Sequence, residues 1–470
     1  MKNIFAATLA GAFALAVSTA QCQHVTEHAK MTQEALTVSG RRELLIDDYL
    51  IDEMDKLEFR LHYPVELPAD SSKPCGAYVT VLQDKAGYKM YYRGFDGVYA
   101  GNRYNGNPGE YTGIAESSNG LLWTEPRLDF YKDEPVPPNT LFYHFNGFTH
   151  NFTPFYDRNP DCPPQERYKA LAGVRETKGL FAFHSADGIH WCHYNESKPV
   201  IEYNPENFGG HLLDSQNVAF YSEYEKCYVM YFRVWKTSDG REKLRTFAKT
   251  VSKDFLHWSE AELLNPNLPG EHLYVSTFAP YARAPQYYVG VATRFFASRG
   301  AATDMTLLFS RHGQGVQRPF PGAWITPGLD PERWGNRMNY MAWGIVQASP
   351  EEMVLYHGHK KILYKLRTDG FISLSAGIME GTFLTRPLEL DSCKLELNLA
   401  TSAGGGLEIE ICDKAGKPIP GYSFGDFQLF YGDRISFIPK WNGKMANELP
   451  AGIYRIRVRM KECDLYSIGF

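Results

Sequence analysis

Basic runs, long apolar stretches and paired cysteine motifs are what this sequence lacks. Its 470 residues carry a net charge of only −5 and no cluster of Lys or Arg, so nothing in it resembles the electrostatic footprint of a nucleic-acid binder or a protein of anionic membranes. Beyond the first 20 residues no apolar run is long enough to span a bilayer. Eight cysteines are present, one of them Cys22; the other seven are odd in number and form no C-x-x-C pair. They signal neither a disulfide framework nor a zinc site, and read as scattered buried thiols. There is no Gly-rich phosphate loop, nucleophile elbow or H-E-x-x-H. His357 and His359 form an H-x-H pair on one face of a strand, but no further ligands accompany them. The sequence therefore predicts no cofactor and no metal.

Aromatic residues, by contrast, are plentiful. At 14%, with 30 Tyr and 29 Phe, they suit strands and sugar-facing surfaces and argue against disorder. The start, "MKNIFAATLAGAFALAVSTAQCQ", has one Lys, an apolar run of small residues, then Ser18-Thr19-Ala20. This is the form of a bacterial export signal over residues 1–21, which predicts a secreted or periplasmic protein, with Cys22 as an alternative lipid-attachment site. Residues 22–40 read as a linker.

Residues 213–233, "LDSQNVAFYSEYEKCYVMYFR", read as a hairpin with Asp214 at its start and Arg233 at its end. Residues 78–93, "YVTVLQDKAGYKMYYR", repeat the pattern, with Arg93 in the place of Arg233. Weaker copies lie at 152–173, 277–294 and 341–359. A second motif follows the hairpins: "AESSNGLLW", "FHSADGIHW" and "KTVSKDFLHW" end at Trp123, Trp191 and Trp258, spaced by 68 and 67 residues. "FSRHGQGV" (309–316) is a degraded fourth copy. Ser-x-Asp/Asn-Gly makes a tight turn before the next strand. Two motifs phased together every 60–70 residues predict an all-β chain built as a five-bladed β-propeller over residues 41–379. "RRELLIDDYLID" (41–52) is expected to close the ring as a lone strand of the last blade. After Gly381 strict alternation with Gly-rich turns predicts a C-terminal β-sandwich over 380–470.

A five-bladed propeller followed by a β-sandwich resembles the invertase and fructanase type of glycoside hydrolase, whose propeller is also akin to arabinanase-like enzymes and mannoside phosphorylases. More narrowly, "ELLIDDYLI", "NFTPFYDRNP", "SADGIHW", "DSQNVAFY", "EHLYVSTFAPYARAP", "NRMNYMAWGI" and "LTRPLEL" resemble a group of secreted bacterial propeller proteins described only as glycosidases. The turn motif is unlike a sialidase Asp-box, because here the Gly directly follows the Asp. The resemblance implies a carbohydrate substrate and a pair of catalytic carboxylates. In the invertase-like enzymes the first of these comes from blade 1; here the matching place is near Pro74, with no carboxylate closer than Asp70.

Innermost strands of all blades converge on the axis of a propeller, so aligned hairpins nominate a pocket. Alignment sets Asp214 opposite Thr149, Tyr274 and Asn339, with Glu271 three residues before Tyr274. Glycoside hydrolysis needs one protonated and one ionised carboxyl. Asp214 and Glu271 are the candidate pair, and Asp157 in "PFYDRNP" is a further candidate. Taken singly, Asp214 also suits a turn cap and Glu271 an ion pair with an Arg. Arg93, Arg233 and Arg294 share one phase at second-strand ends, a pattern suited to an acidic or sulfated sugar. Asn151, His272, Arg337 and Asn339 are candidate substrate contacts. The expectation is a secreted, exo-acting glycoside hydrolase. A non-catalytic carbohydrate-binding propeller, favoured by the missing blade 1 carboxylate, and a glycoside phosphorylase, with the arginines as its phosphate pocket, are the alternatives.

Overall fold

A computed structural model describes residues 34–470 apart from 103, 146, 238, 241, 392 and 393. The signal-like segment 1–21, Cys22 and Cys393 lie outside the described residues. No helix among the described residues is long and apolar enough to cross a membrane. The chain divides into two compact units, residues 63–368 and residues up to 62 together with 369–470.

Residues 63–368 form a five-bladed β-propeller, one antiparallel sheet per blade. Blade 1 runs Ala77–Gln83, Tyr88–Phe95, Glu110–Ser117, Thr140–Tyr143. Blade 2 starts at Thr153–Tyr156, blade 3 at Val218–Ser222, blade 4 at His272–Ser276 with Ala279–Tyr281, and blade 5 at Val346–Gln347. Three of the Trp motifs make the same turn. The hydroxyls of Ser117, Ser185 and Ser252 accept the N–H groups of Gly120, Gly188 and Phe255 at 2.8, 2.9 and 2.9 Å. The intervening Asn119, Asp187 and Asp254 each accept two further backbone N–H groups. The fourth residue is left-handed in all three, at φ 72, 78 and 70°, which Gly adopts freely and Phe255 adopts while fully buried. "FSRHGQGV" is instead a hairpin between Ala302–Arg311 and Gln314–Gln317, with a register shift between Phe309 and Arg311.

The ring closes differently from the sequence reading. The fourth strand of blade 5 is Val65–Pro68, antiparallel to Ile362–Arg367, and not residues 41–52. Residues 41–62 and 369–379 therefore lie outside the propeller. Arg42–Leu44 pairs with the C-terminal end of Gly452–Gly469, Ile51–Asp55 with Gly381–Thr385, and Leu57–Leu61 with Ile372–Ala376. Leu44, Leu45 and Ile46 are buried there. An apolar strand such as "ELLI" needs cover, whereas a closing strand at the outer edge of a blade does not: all four residues of Val65–Pro68 are exposed.

The second unit is a ten-stranded network joined through Gly452–Gly469, which runs beside Glu396–Cys412 with register shifts at Asn398/Leu399 and at the Gly-rich stretch 401–406. Its core includes Leu397, Ile409, Ile456, Val458 and a fully buried Trp441, whose indole N–H reaches the Ile409 carbonyl at 2.8 Å.

Candidate active site

Blade 3 begins with an unusual turn. Leu213 is left-handed at φ 62°, and the Ser215 N–H returns to the Leu213 carbonyl at 2.7 Å, which leaves Asp214 at the apex of a three-residue turn. Two amides hold it. The Nδ2 of Asn151 donates to the carbonyls of Leu213 and Ser215 at 3.1 and 3.0 Å, and the Nδ2 of Asn217 donates to the same two at 3.0 Å each. Left-handed backbone at a branched residue costs on the order of 1–2 kcal/mol, and these four bonds offset it. Asn151 is therefore scaffold and not a sugar contact: it is buried, and its amide also pairs with both backbone groups of Gly173. Gln216 points elsewhere, donating to Thr80 and Val79 of blade 1 at 2.9 and 3.2 Å.

The apex carries Asp214 to the wall of a cavity of about 780 Å³ to which every blade contributes. Tyr78 and Arg93 come from blade 1, His150 from the loop leading into blade 2, Asp214 from blade 3, Tyr274 from blade 4, and Arg337, Tyr340 and His359 from blade 5. Asp214 is the one carboxylate among these lining residues. Nε2 of His150 stands 3.7 Å from its Oδ1. On the other side of the ring, Nδ1 lies 3.0 Å from both oxygens of the buried Glu110. Nδ1 also receives the Gly106 backbone N–H at 3.2 Å, and the ring so held turns Nε2 toward Asp214. Arg93 packs on the same imidazole, its Nη1 2.7 Å from Nδ1, and donates to the His150 carbonyl at 3.1 Å.

Arg233 completes the turn from below. It is 3% exposed, donates through Nη1 to the Asp214 carbonyl, and lies 3.8 Å from the Asp214 carboxylate. Burial alone pushes the Asp214 carboxyl up, but His150 and then Arg233 more than offset it and hold it below its ordinary value of 3.8. Asp214 is thus ionised at neutral pH. Burial holds the Tyr78 and Tyr340 phenols far above theirs, so both keep their protons. Burial, with Arg93 next, lowers His359 to about 4, so it is neutral.

Several residues singled out from sequence are engaged elsewhere. Glu271 accepts from Arg318 at 2.6 and 3.3 Å and from the Leu268 N–H at 3.0 Å, and does not line the cavity. Asp157 is fully buried, 2.8 Å from the Lys169 ammonium, and accepts the Tyr228 hydroxyl at 2.7 Å. Neither is a partner for Asp214 at the cavity. Arg294 forks onto Asp304 at 2.6 and 2.7 Å. Asn339 is buried against Arg333 and Thr303. His272 accepts the Arg245 N–H at 3.2 Å and stands outside the lining. Arg93 and Arg337 do line the cavity.

Sequence reasoning missed Glu110, Tyr78 and Tyr340 as wall or support, and singled out His359 only as half of an H-x-H pair. Glu110 opens a strand directly after a Gly/Asn/Pro loop, "YNGNPGEYTG", and that placement was its available signal. Nothing local marked Tyr78 or Tyr340.

No family model matches the sequence, and no curated protein does. Solved structures similar to the chain include a glycoside hydrolase at 14% identity and TM-score 0.42, covering 65% of this chain and 91% of that one. A β-1,2-mannobiose phosphorylase from Listeria innocua has 13% identity and TM-score 0.44, over 64% and 92%. A glycosyl hydrolase from Bacteroides ovatus has 11% identity and TM-score 0.41, over 72% and 97%. At these scores the likenesses carry no argument about chemistry, and the propeller rests on the chain's own strand pairing.

Proposed function

We propose that this chain is an exported glycoside hydrolase that removes a terminal sugar, with Asp214 as its catalytic carboxylate. The observation that carries this reading is the Glu110–His150–Asp214 series ending at the cavity wall. Asp214 is ionised and partly accessible, 26% exposed at its side chain, and its turn allows it little freedom. An ionised carboxylate in that position serves as base toward water or as nucleophile toward the anomeric carbon. His150 and Glu110 orient it. His150 is too close to Asp214 to stand on the opposite face of a sugar, so it is a positioning residue. The proton for the leaving oxygen falls to a hydroxyl of the same cavity, which Tyr78, Tyr274 and Tyr340 line, Tyr78 edge-on to His150 at 5.6 Å.

Three features support the finer points. A cavity walled by all five blades suits a chain end. Arg93 and Arg337 on its wall suit an acidic sugar. The leading segment has the form of an export signal. The phosphorylase alternative would need its single carboxyl protonated as an acid, and the lowered Asp214 carboxyl disfavours that.

The test is release of sugar from neutral and acidic oligosaccharides, with and without inorganic phosphate, by the protein and by Asp214→Asn. Hydrolysis that needs no phosphate and is lost in the variant supports the reading. Strict phosphate dependence, or no turnover on any glycan beside saturable binding, replaces it with one of the two alternatives.

A further inference from the structure

Most guanidinium groups near the cavity face a carboxylate. Arg93 is 3.9 Å from Glu110, Arg233 is 3.8 Å from Asp214, Arg294 is 2.6 Å from Asp304, and Arg318 is 2.6 Å from Glu271. Arg245 and Arg337 have no carboxylate within 4 Å among the described residues, although Asp214 acts on Arg245 from farther off. The Arg245 guanidinium lies 4.4, 5.0 and 4.5 Å from the ring centroids of Trp235, Tyr274 and Phe295, and its buried Nε has no hydrogen-bond partner. Arg337 packs on two of the same rings, 5.6 Å from Tyr274 and 5.2 Å from Phe295. It spends one N–H on Asn336 at 3.0 Å, and its buried Nε is also unpartnered. Arg233 adds a third cation 4.7 Å from Tyr274.

Three guanidinium groups thus surround one tyrosine, with Asp214 the carboxylate against them. Aromatic faces ease the burial of such cations but supply no acceptor and no countercharge. Arg233 is buried and the other two are half-buried, and like charges held this close favour a compensating anion. Burial, then repulsion from Arg233, lowers Arg245 to about 10, which agrees with a site short of negative charge. Three cations share one carboxylate, and the two forks without a close carboxylate sit on one pair of rings. A carboxylate has two oxygens and one charge, and one fork satisfies it. A sulfate or phosphate group brings enough oxygens for both forks, with two charges as free sulfate or a phosphate monoester and one as a sulfate ester.

We propose that Arg245 and Arg337, with Tyr274, bind a tetrahedral oxyanion, sulfate or phosphate, beside the cavity. This rests on the glycoside-cleaving reading only for the sugar to which such a group would be attached. As an ester it makes the substrate a sulfated or phosphorylated sugar. As free phosphate it would be a co-substrate.

The experiment is calorimetric titration of the purified protein with inorganic sulfate, inorganic phosphate, a hexose sulfate, a hexose phosphate, a uronic acid and the neutral hexose. It is repeated in Arg337→Asn, Arg245→Met and Asp214→Asn. Asn suits the left-handed backbone at position 337 (φ 58°), and Met keeps apolar bulk between the rings; circular dichroism checks that each variant is folded. The expected result is binding of the sulfated or phosphorylated ligands at least about tenfold tighter than the uronic acid and the neutral sugar, lost about tenfold or more in Arg337→Asn. That binding persists in Asp214→Asn. Equal binding of the uronic acid, or a folded Arg337→Asn with undiminished affinity, overturns the proposal. If no tetrahedral anion binds while Asp214→Asn abolishes hydrolysis of a neutral glycan, the proposal falls and the hydrolase reading stands. If inorganic phosphate binds through Arg337 and the product is a sugar 1-phosphate, the anion site stands and the hydrolase reading falls.

Discussion

Nε2 of His150 stands 3.7 Å from the carboxylate of Asp214, while Nδ1 of the same ring meets Glu110 at 3.0 Å. An imidazole between two carboxylates fixes the direction of both, and here only Asp214 reaches the cavity. The first prediction is that Asp214→Asn lowers kcat/KM by about a thousandfold or more, since charge is removed and shape kept. The thermal unfolding midpoint should move little by comparison. Sugar release followed by chromatography measures the first, and calorimetry the second.

His150→Gln carries a different signature. In the intact protein His150 helps to hold the Asp214 carboxyl below 3.8, against the upward push of burial. With that support removed, the Asp214 carboxyl rises and the acid limb of the kcat/KM profile moves to higher pH. Activity at neutral pH should fall by about 10–100-fold. A loss of activity with the acid limb unmoved would mean that the residue acts only through packing. The same lowered carboxyl has a stability consequence. Its contribution is present above the unfolded value near 3.8 and is lost as pH falls through the lower folded value, so Asp214→Asn should flatten the stability profile there.

Much of the propeller was legible because its signals are local. Ser-x-Asp/Asn turns and Tyr-rich second strands carry their own hydrogen bonding, so they show in sequence wherever the fold repeats. The closing strand was not legible. Val65–Pro68 is bounded by Pro64 and Pro68 and exposed throughout, and its partner Ile362–Arg367 lies some 300 residues on. The apolar segment 44–46 was read correctly as a strand neighbourhood, but apolarity does not name the partner. The site divides in the same way. The amides that hold Asp214 in its turn include Asn217, three residues away, so its peculiarity shows in sequence. What removes Glu271 from the cavity is Arg318, 47 residues away, and nothing in "PGEHLYV" announces it.

Asp157 and Glu271 supply the contrast to Asp214. Asp157→Asn leaves the buried Lys169 ammonium without its 2.8 Å partner. The propeller should lose about 3 kcal/mol of stability, while the molecules that remain folded turn over at the normal rate. Glu271→Gln should behave alike through Arg318. Specific activity per folded molecule, set against urea midpoints, separates this outcome from a catalytic defect. A folded Asp157→Asn protein as inactive as Asp214→Asn would return Asp157 to the catalytic machinery.

The last prediction concerns a buried amine that no carboxylate among the described residues balances. Lys73 is fully buried, donates to the Pro74 carbonyl at 2.8 Å, and lies 5.8 Å from the Tyr356 ring centroid. Burial lowers it to about 8 from 10.5. A lysine held low in the folded state opposes folding while it must carry its proton, so the unfolded chain binds more protons between about pH 8 and 10.5. Stability should therefore rise with pH across that window, apart from the titration of other groups. Lys73→Met keeps the length of the side chain, removes the charge, and leaves one carbonyl without its donor. At pH 7 the relief of the charge should exceed that loss by about 1–2 kcal/mol, so the variant should melt higher than the parent protein. The advantage should shrink as pH approaches 10, where the amine of the parent is neutral in the fold. Melting curves for both proteins at pH 7 and pH 10 test it, and a variant less stable than the parent at both would show that the ammonium has a partner it needs.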